Sequence, residues 1–385
     1  MTATIHDFLS RAQLDRVLGR DGLPCRLPRA AYLERDFLAL EYRAWLARSW
    51  LVVARVHEIR NPGDLLPVPG HPFFLAHGRD GEIRAFHNAC RHRGHELVAK
   101  PCDGLRRITC PYHSWSYDLD GRLLAAPHFG GSGTNGHPGL DKAAFGLKPL
   151  RTGRWHNWIL INIDGRAEPL EDFVRPMAAR FHDVDFSRLD HFSTVKRHPL
   201  PVNWKIAMEN NVEPYHVPVV HAETAAGQAL ADHIIVDDGP LVGCAIDIPG
   251  RPFTNRPEVK TNDSLDTSAR FILRTPNLYF TSHAPDKIVD SLILPDSEDP
   301  GRCWVSHACY STSGEAMAPD QLALWHQLEE QVLVEDEAVM AGVTRGLRSV
   351  VTEDGGILSP AWEGCISGFY RNMLSAMIGD ASATS

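Results

Sequence analysis

The strongest constraint on this chain is a spacing rather than a composition. The stretch NACRHRGHE carries Cys90 and His92, and CPYHSW carries Cys110 and His113. A Cys-x-His pair is thus followed, after seventeen residues, by a Cys-x-x-His pair. Both pairs fall on turns after short β-rich runs, where side chains from separate loops can converge. Two thiols and two imidazoles could hold structural zinc, but zinc modules usually group Cys with Cys and His with His. Here each loop offers one of each. That pattern suits a cluster of two irons, with both thiolates on one iron and both imidazoles on the other. Nearby His95 reads as a loop residue or a neighbour of a ligand, and Cys102 as a bystander thiol.

The rest of the composition limits the alternatives. A chain of 385 residues exceeds one typical domain and can bury a large core without cross-links. With 43% apolar and 23% charged residues it reads as soluble and globular. A net charge of −9 without a basic block argues against nucleic-acid or anionic-membrane partners. The opening MTATIHDFLSRAQLDRV has no apolar core, so it does not read as a secretory signal, and no stretch reaches membrane-span length. The expectation is a cytoplasmic protein. Its eight cysteines are scattered, which favours metal or buried-thiol roles over disulfides.

Apolar spacings of three and four predict an amphipathic helix over 30–48. Short β-runs at 50–53, 73–76, 83–86, 108–110 and 158–163 alternate with turns such as NPGD and GRDGE, predicting an all-β module. Residues 230–310 read as further strands, and 319–347 and 366–377 as helices. GGSGTNG at 130–136 reads as a surface loop.

A second constellation lies in NWKIAMENNVEPYHVPVVH, where Glu213, His216 and His221 form Glu-x2-His-x4-His. On a helix Glu213 and His216 share a face, but His221 falls off it, so this is not the HExxH spacing of zinc proteases. Pro218 is expected to break the helix locally and let His221 swing back. Two histidines and a carboxylate with open positions make the facial triad of O2-activating ferrous iron. From chemistry alone Glu213 is the obvious third ligand; two satisfied core histidines are the bland alternative.

Together, FHNACRHRGHELV, ITCPYHSWSYDLDGRL and NWK…EN…E-x2-H-x4-H resemble the catalytic subunits of Rieske-type non-haem iron oxygenases, over about residues 40–350. The resemblance implies an α+β fold: an all-β Rieske [2Fe–2S] domain and a catalytic domain whose antiparallel sheet is covered by helices, helix-grip-like. The expected division is 1–44 as an N-terminal helical segment on the catalytic domain, 45–155 as the Rieske domain and 156–385 as the catalytic domain. It assigns Cys90, His92, Cys110 and His113 to the cluster, and His216 and His221 to mononuclear Fe(II). It changes the reading of Glu213 from ligand to inter-subunit electron bridge. The third ligand becomes an acid of the late helix, Asp336, with Glu335 and Glu337 beside it about 100° apart. Ser114 departs from the family, which more often has glycine there, and His95 stands where a small or apolar residue is common.

The function this implies is a terminal oxygenase, working as a homotrimer on a small-molecule substrate with O2 as co-substrate. Electrons would pass through His113, Glu213 and His216. GGSGTNG is not a dinucleotide-binding GxGxxG, and no plant-type C-x4-C-x2-C run occurs. NAD(P)H therefore acts only indirectly, through a ferredoxin and/or a flavin reductase. Hydroxylation or N-demethylation of quaternary amines is the first substrate reading, aromatic-ring dioxygenation the second, and a pure Rieske electron carrier or a zinc-stabilised binding protein the readings from other classes. Trp204, Tyr215, Tyr279 and Phe280 are candidates for an aromatic cage around a quaternary ammonium group.

Overall fold

The computed structural model describes residues 3–225, 229–246, 269–284, 287–312 and 319–383. The chain divides into two compact units, Trp50–Ala167 and a second made of Met1–Ser49 with Glu168–Ser385.

The Trp50–Ala167 unit is all β. Its strands are β1 (Trp50–Arg55), β2 (Leu65–Val68), β3 (Phe73–His77), β4 (Ile83–His87), β5 (Ile108–Thr109), β6 (Ser116–Tyr117), β7 (Leu123–Ala125), β8 (Pro149–Trp155) and β9 (Trp158–Asn162). An antiparallel sheet of order β1-β9-β8-β4-β3-β2 is accompanied by a small sheet of order β5-β6-β7. The runs WLVVAR and WILIN form β1 and β9, pair antiparallel with a register shift between Val52 and Ala54, and are buried throughout. Four strands were not foreseen: β2, β8 and the short β6 and β7. β2 contains Pro67, which a sheet accepts because β2 lies at its edge. β8 carries Gly153 and two arginines and lacks an apolar run. The boundary expected at residue 155 runs through the β8–β9 hairpin, where Trp155 faces Trp158. Since β9 pairs with both β1 and β8, the hairpin belongs with the first unit. The core of this unit packs Phe74, Phe86, Trp115 and Tyr117 around Cys90 and Cys110.

The other unit is built on an antiparallel sheet of order β10-β16-β15-β14-β13-β12-β11. Its strands are β10 (Asp190–Leu200), β11 (His233–Asp238), β12 (Leu241–Ile246), β13 (Ala269–Arg274), β14 (Leu278–Ala284), β15 (Lys287–Pro295) and β16 (Cys303–Ser311). Whatever strand was expected between 247 and 268 lies outside the described residues. The helices are α1 (Arg11–Val17), α2 (Ala30–Leu33), α3 (Arg35–Ala44), α4 (Leu170–Arg180), α5 (Trp204–Val212), α6 (Val217–Val220), α7 (Pro319–Gly346) and α8 (Gly364–Ala383). Alternation along the strands separates two faces. Arg270, Arg274 and Phe280 turn toward the α4 side, where they meet Phe181, Phe173 and Phe186. Phe271, Tyr279 and Thr281 turn the other way and line a cavity. α8 buries Ile366, Phe369, Tyr370, Met373, Leu374 and Met377, the stripe expected of an amphipathic helix. Among the described residues, no helix is long and apolar enough to cross a membrane.

α5 is buried on nearly all sides, including its charges. Lys205 Nζ lies 2.9 Å from Glu41 Oε2 on α3, and neither side chain is exposed. Glu209 Oε2 accepts from Arg26, and its Oε1 accepts from the hydroxyls of Tyr32 and Tyr370 at 2.6 and 2.9 Å. The single helix expected over 30–48 is therefore three pieces: Glu34 is extended, and the chain restarts in α3 so that Tyr32 and Glu41 each reach a different charge of α5. Burial pushes the Glu41 carboxyl up and the Lys205 ammonium down, each opposed by the partner's charge. Removing one partner of such a pair leaves a buried charge without compensation. Lys205→Met should cost about 3–5 kcal/mol in urea denaturation of the full chain, and Glu41→Leu combined with it should recover most of that loss. Equal stability of the single variant and the parent would exclude a charged pair here.

Candidate metal centres

Two loops of the all-β unit share one backbone plan. In the first, Gly94 N donates to Cys90 O and Cys90 N to His95 O; in the second, Ser114 N donates to Cys110 O and Cys110 N to Trp115 O. Each loop closes through a left-handed residue, Gly94 at φ 74° and Ser114 at φ 57°. That conformation explains the glycine preference at position 114, and serine pays a small steric cost to hold it. Both thiols are buried, while His92 is half-buried and His113 exposed. The two imidazole centroids are 4.7 Å apart, and His92 stacks on Trp115 at 4.9 Å with the planes nearly parallel.

The thiol side is dressed with donors. The Tyr117 hydroxyl is 3.3 Å from Cys90 Sγ and accepts from Arg91 N. Burial pushes the Cys110 thiol up, and the backbone amides of Tyr112 and His113 pull it back down. His95 is exposed and bonded locally to Glu96 O, and Cys102 is bonded to Lys100 O, so neither joins the four. The donor set of two inward thiols and two outward imidazoles fits a two-iron cluster. Among the described residues, the one group of three or more metal-type donors whose atoms close to within 4.8 Å of one another lies elsewhere.

That group is His216, His221 and Asp336. α5 ends at Val212, and Glu213 is extended, so Glu213 and His216 do not share a helix. Glu213 Oε2 instead accepts from the backbone N–H groups of Tyr215 and His216, which turns the chain into the single turn α6. Pro218 starts that turn rather than breaking it, because a proline in the first turn lacks only an N–H that has no acceptor there. Of the two prolines expected to limit the helix, Pro214 stands at its end and Pro218, four residues on, lies inside the next turn.

Each histidine has one nitrogen held from behind. His216 Nδ1 lies 2.6 Å from Glu213 Oε1, and His221 Nδ1 lies 2.8 Å from Glu335 Oε2. An ionised carboxylate only accepts, so both Nδ1 atoms carry the proton and both Nε2 atoms are left as lone-pair donors. Those Nε2 atoms stand 3.6 and 3.0 Å from Asp336 Oδ1. Oδ1 is buried and makes no bond of hydrogen-bonding geometry, an orphaned acceptor facing two lone pairs. This arrangement fits a shared divalent cation. Burial works against charge on His221, but Asp336 and Glu335 outweigh it and hold its imidazole above the usual value. The three acids of α7 diverge as their helical spacing requires: Glu335 meets His221, Asp336 faces the two Nε2 atoms, and Glu337 lies 2.8 Å from His198 Nε2.

The triad opens onto a cavity of about 320 Å³. The sheet supplies its floor, with apolar Phe271, Val289, Ile293 and Val305 around a polar pair in which Ser291 Oγ lies 2.9 Å from His307 Nδ1. Of the four cage candidates only Tyr279 lines this cavity, its hydroxyl donating to Asn211 O. Trp204 packs on Trp45 and Phe369, Phe280 faces α4, and Tyr215 is half exposed. Phe271 and the Ser291–His307 pair carried no signal in the sequence, since strand alternation and register alone bring them together.

Residues 186–379, half of the chain, match the family model for the ring hydroxylating alpha subunit (catalytic domain), and residues 49–135 match the Rieske [2Fe-2S] domain. The glycine betaine monooxygenase oxygenase subunit of Pseudomonas aeruginosa is 29% identical over 217 residues, 55% of this chain and 48% of that protein. The carnitine monooxygenase oxygenase subunit of Acinetobacter pittii is 31% identical over 217 residues, 54% of each chain. The chain thus spans about half the length of the curated relatives it matches. The crystal structure of the quaternary ammonium Rieske monooxygenase CntA with an inhibitor has the same fold, with a TM-score of 0.76 at 23% identity over 94% of this chain and 97% of that one. With its Rieske domain and the catalytic domain that follows, the chain belongs to the ring-hydroxylating alpha-subunit family.

Proposed function

We propose that the chain is the terminal oxygenase of a multicomponent system, hydroxylating or oxidatively demethylating a small quaternary amine with O2 and electrons from a separate ferredoxin or flavin reductase. The observation that carries this reading is the convergence of His216, His221 and Asp336 on one point at the edge of a largely apolar cavity. The relatives named for glycine betaine and carnitine support the substrate class.

His216, His221 and Asp336 would hold the mononuclear iron, and Cys90, Cys110, His92 and His113 the [2Fe–2S] cluster. When bound, the cluster supplies single electrons and the ferrous ion activates dioxygen for insertion into a C–H bond. The protein's own contribution is placement. The Tyr117 hydroxyl donates toward Cys90 Sγ, which spreads the thiolate's charge. Glu213 and Glu335 hold the Nδ1 protons of the two histidines. In the cavity the faces of Phe271 and Tyr279 suit a quaternary ammonium group, which bonds to aromatic faces without needing a hydrogen-bond acceptor. Ser291 and His307 supply the polar spot for the substrate's other end, and Val289, Ile293 and Val305 keep water from the reacting carbon.

Glu213 already holds His216 Nδ1, which makes it the residue through which an electron would reach the iron site from the cluster of a neighbouring copy. On this reading the working form is a homotrimer.

Asp336→Ala should bring iron down from three per chain to two while the cluster's visible spectrum survives; full iron retention would reassign the third ligand. Glu213→Gln should keep both metals and lower the rate of product formation about 10–100-fold, and an unchanged rate would remove the bridge. Supplied with a surrogate reductase, ¹⁸O2 and a panel of betaines, carnitines and aromatic acids, the enzyme should label released formaldehyde or a single hydroxyl of a quaternary amine. Two labelled hydroxyls on an aromatic ring would make it a ring dioxygenase instead, and no labelled product from any class would remove the oxygenase reading.

A further inference from the structure

Beyond the three proposed ligands, we infer that Glu335 is the positioning residue of the mononuclear centre: it fixes the tautomer and the angle of His221. This rests on the iron-site reading above. His221 is gripped at both nitrogens by consecutive residues of α7, with Glu335 Oε2 2.8 Å from Nδ1 and Asp336 Oδ1 3.0 Å from Nε2. Adjacent helical residues point about 100° apart, so one helix reaches both edges of the ring only with the ring set between them. Rotating or sliding α7 would disturb both contacts together.

Glu335 is itself held. Thr224 Oγ1 donates to the same Oε2 at 2.7 Å, and Gln331, one turn back on α7, donates to Oε1 at 3.2 Å. Three donors thus orient a carboxylate that an ordinary exposed helix face would leave mobile.

His216 has the same kind of support, from a different source. Glu213 is three residues before it in sequence and is fixed by backbone N–H groups. His216 is therefore set by local chain geometry, and His221 by a helix more than a hundred residues away in sequence. A metal needs both Nε2 lone pairs at once, so Glu335 links the position of α7 to the affinity of the site. Partners of this kind are worth about 10–100-fold in metal affinity.

The test uses full-length protein with its cluster intact, freed of mononuclear iron by a mild chelator and titrated with Co(II). The parent should bind one ion with a visible ligand-field spectrum, and Asp336→Ala should abolish that binding. Glu335→Gln, which keeps size and loses charge, should bind about 10–100-fold more weakly with a shifted Co(II) spectrum. Thr224→Val, which only loosens Glu335, should move affinity in the same direction by less, while the cluster spectrum and far-UV circular dichroism of both variants stay at the parent's. Parent-like affinity and spectrum in Glu335→Gln would overturn the inference. So would complete loss of the ion, as in Asp336→Ala, because Glu335 would then be a ligand. A parent that binds no Co(II), or binding that survives Asp336→Ala, would sink the iron-site reading itself.

Discussion

An imidazole presents a metal with one nitrogen, and what holds the other nitrogen decides which. Much of the catalytic unit serves that constraint for His216 and His221. Both rings have Nδ1 bonded to a carboxylate, leaving both Nε2 atoms to face Asp336. The carboxylates come from α7 and from the turn after α5, so the centre exists only where these two elements are held in register. Free rotation of either ring would turn its Nε2 away from Asp336.

The register in turn depends on α5. It is buried nearly all round, which is unusual for a helix carrying a lysine and a glutamate. The N-terminal segment and α8 neutralise those charges, through Glu41 for Lys205 and through Arg26, Tyr32 and Tyr370 for Glu209. Segments that touch no part of the cavity thereby fix the helix whose end carries Glu213. The cluster loops use a different device. There the thiols are embedded in the hydrophobic core, and two matching turns closed by left-handed residues carry His92 to a half-buried position and His113 to the surface. Buried sulfur and exposed imidazole suit a group that must be stable on one side and accessible to electrons on the other.

Several features of the sequence led to the fold without needing tertiary information. Alternating and continuous apolar runs marked β1, β3, β4 and β9, and helical spacing marked α7 and α8. β2 and β8 were hidden because proline, glycine and arginine mask strand character that edge position and pairing restore. The compact unit runs past the division expected at residue 155 for a related reason: a hairpin has no compositional boundary, and only the pairing of β9 with β1 shows which sheet it joins.

The candidate site divides along the same line. Its candidate residues stood out because metal-type donors are few in kind and their spacing is local: Cys90 with His92, Cys110 with His113, and His216 with His221 each lie within one loop or turn. Asp336 and its neighbours were legible as a set of three acids, but not in their separate tasks. Sequence determined that a helix would point Glu335, Asp336 and Glu337 in three directions. Only the folded chain decided that those directions meet His221 Nδ1, the Nε2 atoms of His216 and His221, and His198. The cavity floor is the extreme case, since Phe271, Tyr279, Ser291 and His307 sit on four strands whose register no local pattern encodes. Ligand identity is a short-range property of the chain; ligand orientation and cavity shape arise from contacts between residues far apart in sequence, and exist only once the sheet and helices have packed.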